Sequence, residues 1–121
     1  MSSFSNLTRG RLKVEAVLTD VNGNVIPIGP TSAATSTITS VADTASSVLL
    51  LASNTSRVGA SIQNDSDQIL YLKLGTTASL ADYTVKMVAG AYYEVPFGYT
   101  GRIDGIWAAN STGAALIDEL T

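Results

Sequence analysis

The acidic residues that stand close together are the first candidates for chemistry. Asp65 and Asp67 flank Ser66 near the middle of the chain, and carboxylate oxygens at this spacing could bind a hard cation such as Ca²⁺. Asn and Asp side chains also hydrogen-bond their own backbone in turns, and we favour that interpretation. Asp118 and Glu119 are adjacent, so on a strand they would point to opposite faces and could not act as a catalytic pair.

A second acidic pattern lies nearer the start of the chain. Asp20, Asn22 and Asn24 have the spacing of the first ligands of a calcium loop, but the Gly required at the sixth position is Val25. Asn22-Gly23 is instead a preferred two-residue connection between antiparallel strands. The pattern therefore predicts a hairpin turn rather than a metal site.

The composition excludes most other reactive groups. The chain contains no Cys and no His, which removes thiolate nucleophiles, imidazole bases, the usual zinc ligands and Ser-His-Asp triads. A glycosidase needs two carboxylates at a defined separation, and nothing in the sequence selects such a pair. We therefore predict that the protein is not an enzyme and uses no metal and no cofactor.

The charge pattern argues against two classes of partner. The net charge is −3 with 14% charged residues, and the basic residues are scattered rather than gathered on one stripe, so we expect no nucleic-acid binding. One small basic cluster, Arg9, Arg11 and Lys13, is expected on an arm that faces a partner. The apolar runs are of strand length, far short of the roughly 20 residues of a spanning helix, so no membrane is expected.

Apolar alternation and regular turns predict the elements that position these residues. Ser and Thr make up 28 of 121 residues, and short alternating runs recur at spacings typical of a sandwich or barrel. We predict an all-β fold, an antiparallel, jelly-roll-like β-sandwich with an N-terminal hairpin and arm. The predicted strands of the sandwich are Ser47–Ala52, Arg57–Gln63, Gln68–Leu74, Tyr83–Val88, Ala91–Val95, Arg102–Ala108 and Ala114–Leu120.

The segment before Ser47 has a different composition. Residues 27–47 contain two Pro, many Ser, Thr and Ala residues and little bulk. They are typical of a linker, an extended arm or a weak edge strand around Ile38–Val41. We therefore divide the chain into an arm over residues 1–46, with a β-hairpin that begins at Leu12–Thr19, and a sandwich core over residues 47–121.

Two local features carry expectations about strand connections. The stretch "SIQNDSDQILYLKLG" at residues 61–75 has a polar tip between two strand-like runs, and we expect a structural hairpin. Gly105 interrupts the alternation between Ile103 and Ile106, which indicates a bulge or a close approach of another group to the backbone. Ser79–Asp82 could form a single helical turn.

The large apolar residues divide into a predicted core and a predicted partner surface. The core should contain Ile62, Leu70, Leu72, Tyr93 and Trp107. Tyr92 and Tyr99 are expected on a partner or oligomer interface, together with the basic cluster of the arm. Exposed aromatic rows on a sandwich also stack on sugars, so carbohydrate binding remains an alternative.

The last two thirds of the chain resemble a known group of proteins. The stretches "NTSRVGASIQNDSDQILYLKLG" and "YTVKMVAGAYYEVPFGYTGRIDGIWAANSTGAALIDEL" are similar to small tailed-bacteriophage proteins encoded among virion structural genes. The residues that carry the resemblance are Asn54, Arg57, Ile62, Asn64, Ser66, Leu70, Tyr71, Gly75, Gly90, Tyr92, Tyr93, Glu94, Tyr99, Gly101, Ile106 and Trp107. The resemblance covers about residues 47–120 and implies a component of the virion.

Together these features lead to one expected function and one alternative. We expect a capsid decoration, or cement, protein that sits on the capsid surface after synthesis in the host cytoplasm. It would bind the major capsid protein and its own copies, most simply as a trimer, and stabilise the head by bridging capsomers. The alternative is a carbohydrate- or receptor-binding module of a tail fibre or spike.

Overall fold

The computed structural model describes Asn22 and residues 32–121. Asn22 lies in a turn, as the Asn22-Gly23 pattern predicts. The rest of the predicted hairpin and the basic cluster Arg9, Arg11 and Lys13 lie outside the described residues.

Eight β-strands form where short alternating runs are separated by Ser, Asn, Asp and Gly turns, and no described residue is helical. Ser79–Asp82, where a single helical turn was predicted, is a tight loop in which the backbone N–H groups of Ser79 and Asp82 each donate to the other residue's carbonyl. The strands are β1 (Ser36–Ala42), β2 (Val48–Leu51), β3 (Gly59–Asp65), β4 (Leu70–Leu74), β5 (Val85–Met87), β6 (Tyr92–Glu94), β7 (Ile103–Trp107) and β8 (Ala114–Leu120).

The strands build two four-stranded antiparallel sheets packed as a sandwich, which confirms the predicted fold class. The first sheet has the order β1-β8-β3-β6 and the second the order β2-β7-β4-β5. The first strand thus pairs with the last, the second with the seventh, the third with the sixth and the fourth with the fifth. This is the pairing of one long hairpin rolled up on itself, the topology of a jelly roll.

The core lies between the two sheets and is built from the residues that alternate inward. Ile62 on β3 and Ile117 on β8 lie side by side in register and are completely buried. From the second sheet, Leu70, Leu72 and Trp107 are completely buried against them. Tyr93, also expected in the core, packs on it but stays half-buried, because β6 is a three-residue strand at the edge of its sheet.

The structure corrects the boundary between arm and sandwich. Strand β1 pairs with β8 along its whole length, from Ser36 opposite Leu120 to Ala42 opposite Ala114. The edge-strand interpretation of this segment is the one that the structure supports, and the sandwich begins at Ser36, not at Ser47. The amphipathic pattern of β1 is weak because the strand is exposed on both faces except at Val41.

The connection from β3 to β4 is also different from the prediction. The polar tip was expected to close a hairpin, but β3 belongs to the first sheet and β4 to the second. The tip therefore carries the chain from one sheet to the other. Within each sheet β3 pairs with β8 and β6, and β4 pairs with β7 and β5.

Close packing explains why position 105 is a glycine. It alternates inward between the buried Ile103 and Trp107, and a Cβ added to it would lie 2.7 Å from Leu50 Cδ1 and 2.9 Å from Leu70 Cδ1. The irregularity in the ladder falls on the neighbouring strand, between Leu49 and Leu51. Of the two alternatives for Gly105, the close approach is correct.

Candidate interaction surface

A buried amide ties the two sheets together at one end of the sandwich. Asn64 on β3 is completely buried, and its Oδ1 accepts a hydrogen bond from Trp107 Nε1 at 3.1 Å. Its Nδ2 lies 2.8, 3.0 and 3.1 Å from the carbonyl oxygens of Gln68, Met87 and Val88. All polar atoms of this side chain are thereby used in holding the fold.

A buried carboxylate organises the loops at the same end. Asp43 accepts hydrogen bonds from the Ser66 hydroxyl at 3.0 Å and from the backbone N–H groups of Ser111 and Gly113 at 3.0 and 3.2 Å. Asp67 accepts from the Ser111 hydroxyl. Asp67 thus belongs to a loop network, and Asp65 is the last residue of β3. Within residues 32–121 no group of three or more acidic side chains is placed to hold a metal ion.

A buried guanidinium fixes the opposite end. Arg57 forms an ion pair with Glu119 at 2.8 Å and donates to the carbonyl oxygens of Ala52, Tyr99 and Gly101. It therefore joins the β2–β3 and β6–β7 connections to β8. Asp118 points to the other face of the strand, where it accepts from the Ser36 hydroxyl at 2.6 Å, so the adjacent carboxylates do face opposite ways as predicted.

The remaining buried polar residue within residues 32–121, Asp104, accepts hydrogen bonds from the Thr77 backbone N–H and from Arg102 Nε, each at 2.7 Å. In the described part of the chain, no buried side-chain nitrogen or oxygen lacks a hydrogen-bond partner. The outer surfaces of the two sheets expose side chains that are available for contact with other molecules.

The outward residues of the first sheet, which we call the first-sheet face, expose several large apolar side chains. Ile38 on β1 is 71% exposed, Tyr92 on β6 is 61% exposed, and Phe97 in the loop after β6 is 80% exposed. Leu120 on β8 is also exposed and Leu116 half-buried. Apolar side chains at this density on one sheet are typical of a surface that contacts another molecule.

Two shallow grooves run across the first-sheet face. One has a volume of about 400 Å³ and lies between Phe97, Tyr92 and Leu120. The other, of about 220 Å³, lies between Tyr92, Ile38 and Leu116. Ser61, Tyr92 and Asp118 line both grooves, so together they form one continuous depression.

The charged groups of the first-sheet face are carboxylates. Asp118 and Glu94 lie on either side of Ser61 in the strand register, and Glu94 accepts a hydrogen bond from the Tyr92 hydroxyl at 3.3 Å. None of the basic residues of the described strands and loops pairs with either carboxylate. The face is therefore apolar and acidic.

The outward residues of the second sheet, the second-sheet face, have a different character. The ring of Tyr71 on β4 packs edge-on against Tyr83 with 4.9 Å between centroids, and Lys86 Nζ lies 5.8 Å from the centre of the Tyr71 ring. Lys73 also points outward and forms an ion pair with Asp82 at 2.5 Å. Leu49 at the other side of the sheet is exposed.

The structure separates the residues that were predicted to form a partner surface. Tyr92 lies at the centre of the first-sheet face. Tyr99 lies in the loop between β6 and β7, half-buried, with its hydroxyl donating to the Arg102 carbonyl at 2.7 Å. No sequence pattern assigned Ile38, Phe97 or the two carboxylates to a partner surface. For Phe97 the flanking Pro96 and Gly98 were a usable signal, because they place it in a turn.

The Tyr93 hydroxyl is perturbed by its surroundings. Burial raises the pKa of the Tyr93 hydroxyl above its ordinary value, because the phenolate is poorly solvated there. The described residues also include no helix of the length and hydrophobicity needed to cross a bilayer.

Comparisons of the chain with protein-family models, with curated proteins and with solved structures found no match. The resemblance to phage virion proteins therefore stays a prediction from the sequence.

Proposed function

We propose that the protein is a non-catalytic structural component of a bacteriophage virion, a decoration protein on the capsid surface. In this proposal the sandwich associates with copies of itself, and the basic N-terminal segment attaches it to the major capsid protein. Bridging neighbouring capsomers in this way stabilises the head.

The observation that carries the proposal is the apolar and acidic first-sheet face on a sandwich whose buried polar groups are all used internally. Ile38, Tyr92 and Phe97 offer contact area to a partner. The buried carboxylate Asp43 and the buried amide Asn64 are both engaged in structural hydrogen bonds. Jelly-roll sandwiches occur as capsid domains and as lectins, so the fold is compatible with the proposal without deciding it.

The residues of the phage-like motif have structural roles that suit a rigid building block. Asn54 Oδ1 accepts from the backbone N–H of Ser56 at 3.0 Å and closes the turn before β3. Arg57 fixes two loops, and Asn64 and Trp107 join the sheets. A motif made of such residues preserves a shape, which is what a cement protein has to supply.

The proposal is tested by incubating the purified full chain with empty capsids and separating bound from free protein by sedimentation. We expect saturable binding with a fixed ratio of chains to capsomers, and capsids that survive heating to a higher temperature. The reference sample is the same protein with capsids that already carry their full decoration. Failure to bind undecorated capsids would contradict the proposal.

The alternative, carbohydrate binding, is supported by the exposed aromatic rings of Tyr92 and Tyr83. Sugars stack on such rings, and a glycan array or a host polysaccharide pull-down detects that binding directly. Tyr92→Ala and Tyr83→Ala would each weaken glycan binding at the ring concerned. Glycan binding together with no capsid binding would replace the decoration role by the receptor-binding role.

A further inference from the structure

The two outer faces of the sandwich have complementary charges. Glu94 and Asp118 give the first-sheet face its charge, and they have no Lys or Arg partner among the described residues. On the second-sheet face, Lys73 is neutralised by Asp82, whereas Lys86 forms no ion pair within residues 32–121 and lies over the Tyr71 ring. One face is thus acidic and the other carries an available cation.

Both faces also expose apolar surface around these charges. The first-sheet face offers Ile38, Tyr92 and Phe97 beside its grooves. The second-sheet face offers Leu49 and the edge-packed pair of Tyr71 and Tyr83. Aromatic side chains with one polar end are enriched in the centres of protein interfaces.

The charge pattern decides how two copies can meet. A symmetric contact between two first-sheet faces would bring Glu94 and Asp118 of one copy against the same residues of the other. Like charges opposed in a partly desolvated contact are strongly unfavourable. A contact between the first-sheet face of one copy and the second-sheet face of the next instead places carboxylates near Lys86.

We propose that copies of this chain associate front to back, with the first-sheet face of one copy packed on the second-sheet face of the next and Glu94 and Asp118 facing Lys86. Such a contact is heterologous, so it closes into a ring if the rotation between copies allows it and otherwise forms an open chain. Because the two faces lie on opposite sides of the sandwich, stacking them does not give the sharp turn of a closed ring of three, and the trimer expected from the sequence would need a different contact. The contact itself is a property of the purified protein and does not depend on the virion proposal.

The test uses charge reversal at exposed positions, where the fold should tolerate substitution. Glu94→Lys and Lys86→Glu, each in the full chain, should weaken self-association about tenfold in Kd, measured by sedimentation velocity over a range of concentrations. Asp67→Lys lies in a loop at the end of the sandwich and changes the net charge by the same amount as Glu94→Lys. It should leave association unchanged.

Recombination of the two variants is the decisive measurement. In an equimolar mixture, the first-sheet face of the Glu94→Lys variant meets the second-sheet face of the Lys86→Glu variant, and the two reversed charges attract each other. A mixed complex should therefore form although each variant alone is largely monomeric. The chain that combines Glu94→Lys with Lys86→Glu should also recover self-association. Thermal unfolding of every variant checks that the fold is retained.

Three results would overturn the inference: a wild-type chain that stays monomeric at high micromolar concentration, a Lys86→Glu variant that associates as the wild type does, or a mixture that forms no complex. Because these measurements contain no capsids, a failure here leaves the decoration role to its own binding test. Conversely, front-to-back association without capsid binding would support this inference and contradict that role.

Discussion

At the scale of single residues, the sandwich depends on a few buried polar side chains that connect parts of the chain far apart in sequence. Asn64 accepts a hydrogen bond from the indole N–H of Trp107 and donates hydrogen bonds to carbonyl groups on the opposite sheet and its loops. Removing one partner from such a network leaves the others desolvated and unpaired, which costs more than the net value of the bonds.

We therefore expect Asn64→Ala to lower the free energy of unfolding by about 3 kcal/mol. Urea unfolding followed by the fluorescence of Trp107, the single tryptophan of the chain, gives this value at concentrations too low for association. Gln63→Ala, one position earlier on the exposed side of β3, should change it by less than about 0.5 kcal/mol. Equal effects of the two substitutions would show that the buried network contributes little.

The raised pKa of the Tyr93 hydroxyl predicts how the free energy of unfolding changes at alkaline pH. Burial raises the pKa of its hydroxyl in the folded chain, so the unfolded chain loses this proton first, near pH 10. The contribution of Tyr93 to stability is then complete below about pH 10 and is lost as the pH rises through the folded-state pKa.

In the wild type, the urea concentration at the unfolding midpoint should therefore be lower above pH 10 than at pH 8. The difference should be smaller in Tyr93→Phe. Tyr92→Phe removes an exposed hydroxyl from the neighbouring position and should keep the wild-type pH dependence. A Tyr93→Phe variant with an unchanged alkaline transition would contradict this assignment.

At the scale of strands, the sequence predicted which segments are extended but only part of how they connect. Seven strands were recognisable because apolar alternation and turn residues are local signals. The connection between β3 and β4 was wrongly assigned because a polar tip of this kind suits a hairpin as well as a crossing between sheets. The close approach at Gly105 could not be predicted locally, because it involves the side chains of Leu50 and Leu70 on other strands.

Strand β1 could not be identified from apolar alternation. Its residues are Ser, Thr and Ala apart from Ile38 and Val41, and both of its faces are largely exposed, so no alternation marks it. What holds β1 is its backbone ladder with β8. For the same reason no sequence pattern indicated that Ile38 is exposed on the first-sheet face, whereas Tyr92 was expected at the surface and is exposed.

The ladder predicts different outcomes for two N-terminal deletions. Removing residues 1–31 leaves both described sheets intact, so the melting temperature should change by only a few degrees. Removing residues 1–46 deletes β1 together with the buried Asp43 and uncovers the edge of β8. The ladder bonds of the seven paired residues, at roughly 0.5–1.5 kcal/mol each, predict a loss of several kcal/mol in the free energy of unfolding.

Thermal and urea unfolding of the two truncated chains measure this difference. Both chains keep every buried residue of the core cluster, and only the chain without residues 1–46 loses Val41, which packs against that cluster. Equal stability of the two deletions would mean that β1 is dispensable and that the sandwich is held by its other strands alone.

At the scale of the whole molecule, charge is divided unevenly between the sandwich and the segment before it. Residues 32–121 contain four basic and eight acidic residues, a net charge of −4, whereas the preceding residues contain three basic and two acidic residues, a net charge of +1. Opposite charges in two parts of one chain favour different partners for each part. In the proposed virion role, the sandwich faces bind copies of the chain and the basic segment binds the capsid.

This division predicts that capsid attachment can be removed without disturbing the sandwich. Combining Arg9→Glu, Arg11→Glu and Lys13→Glu should abolish sedimentation with empty capsids, because reversed charges would be repelled where the basic cluster was attracted. The combination of Arg9→Lys and Arg11→Lys keeps the charge and should still attach, with binding that weakens as salt is raised. Melting temperature and front-to-back association should match the wild type in both variants. If the triple reversal attached as well as the wild type, the basic segment would not be the capsid-binding element, and the sandwich faces would have to supply that contact.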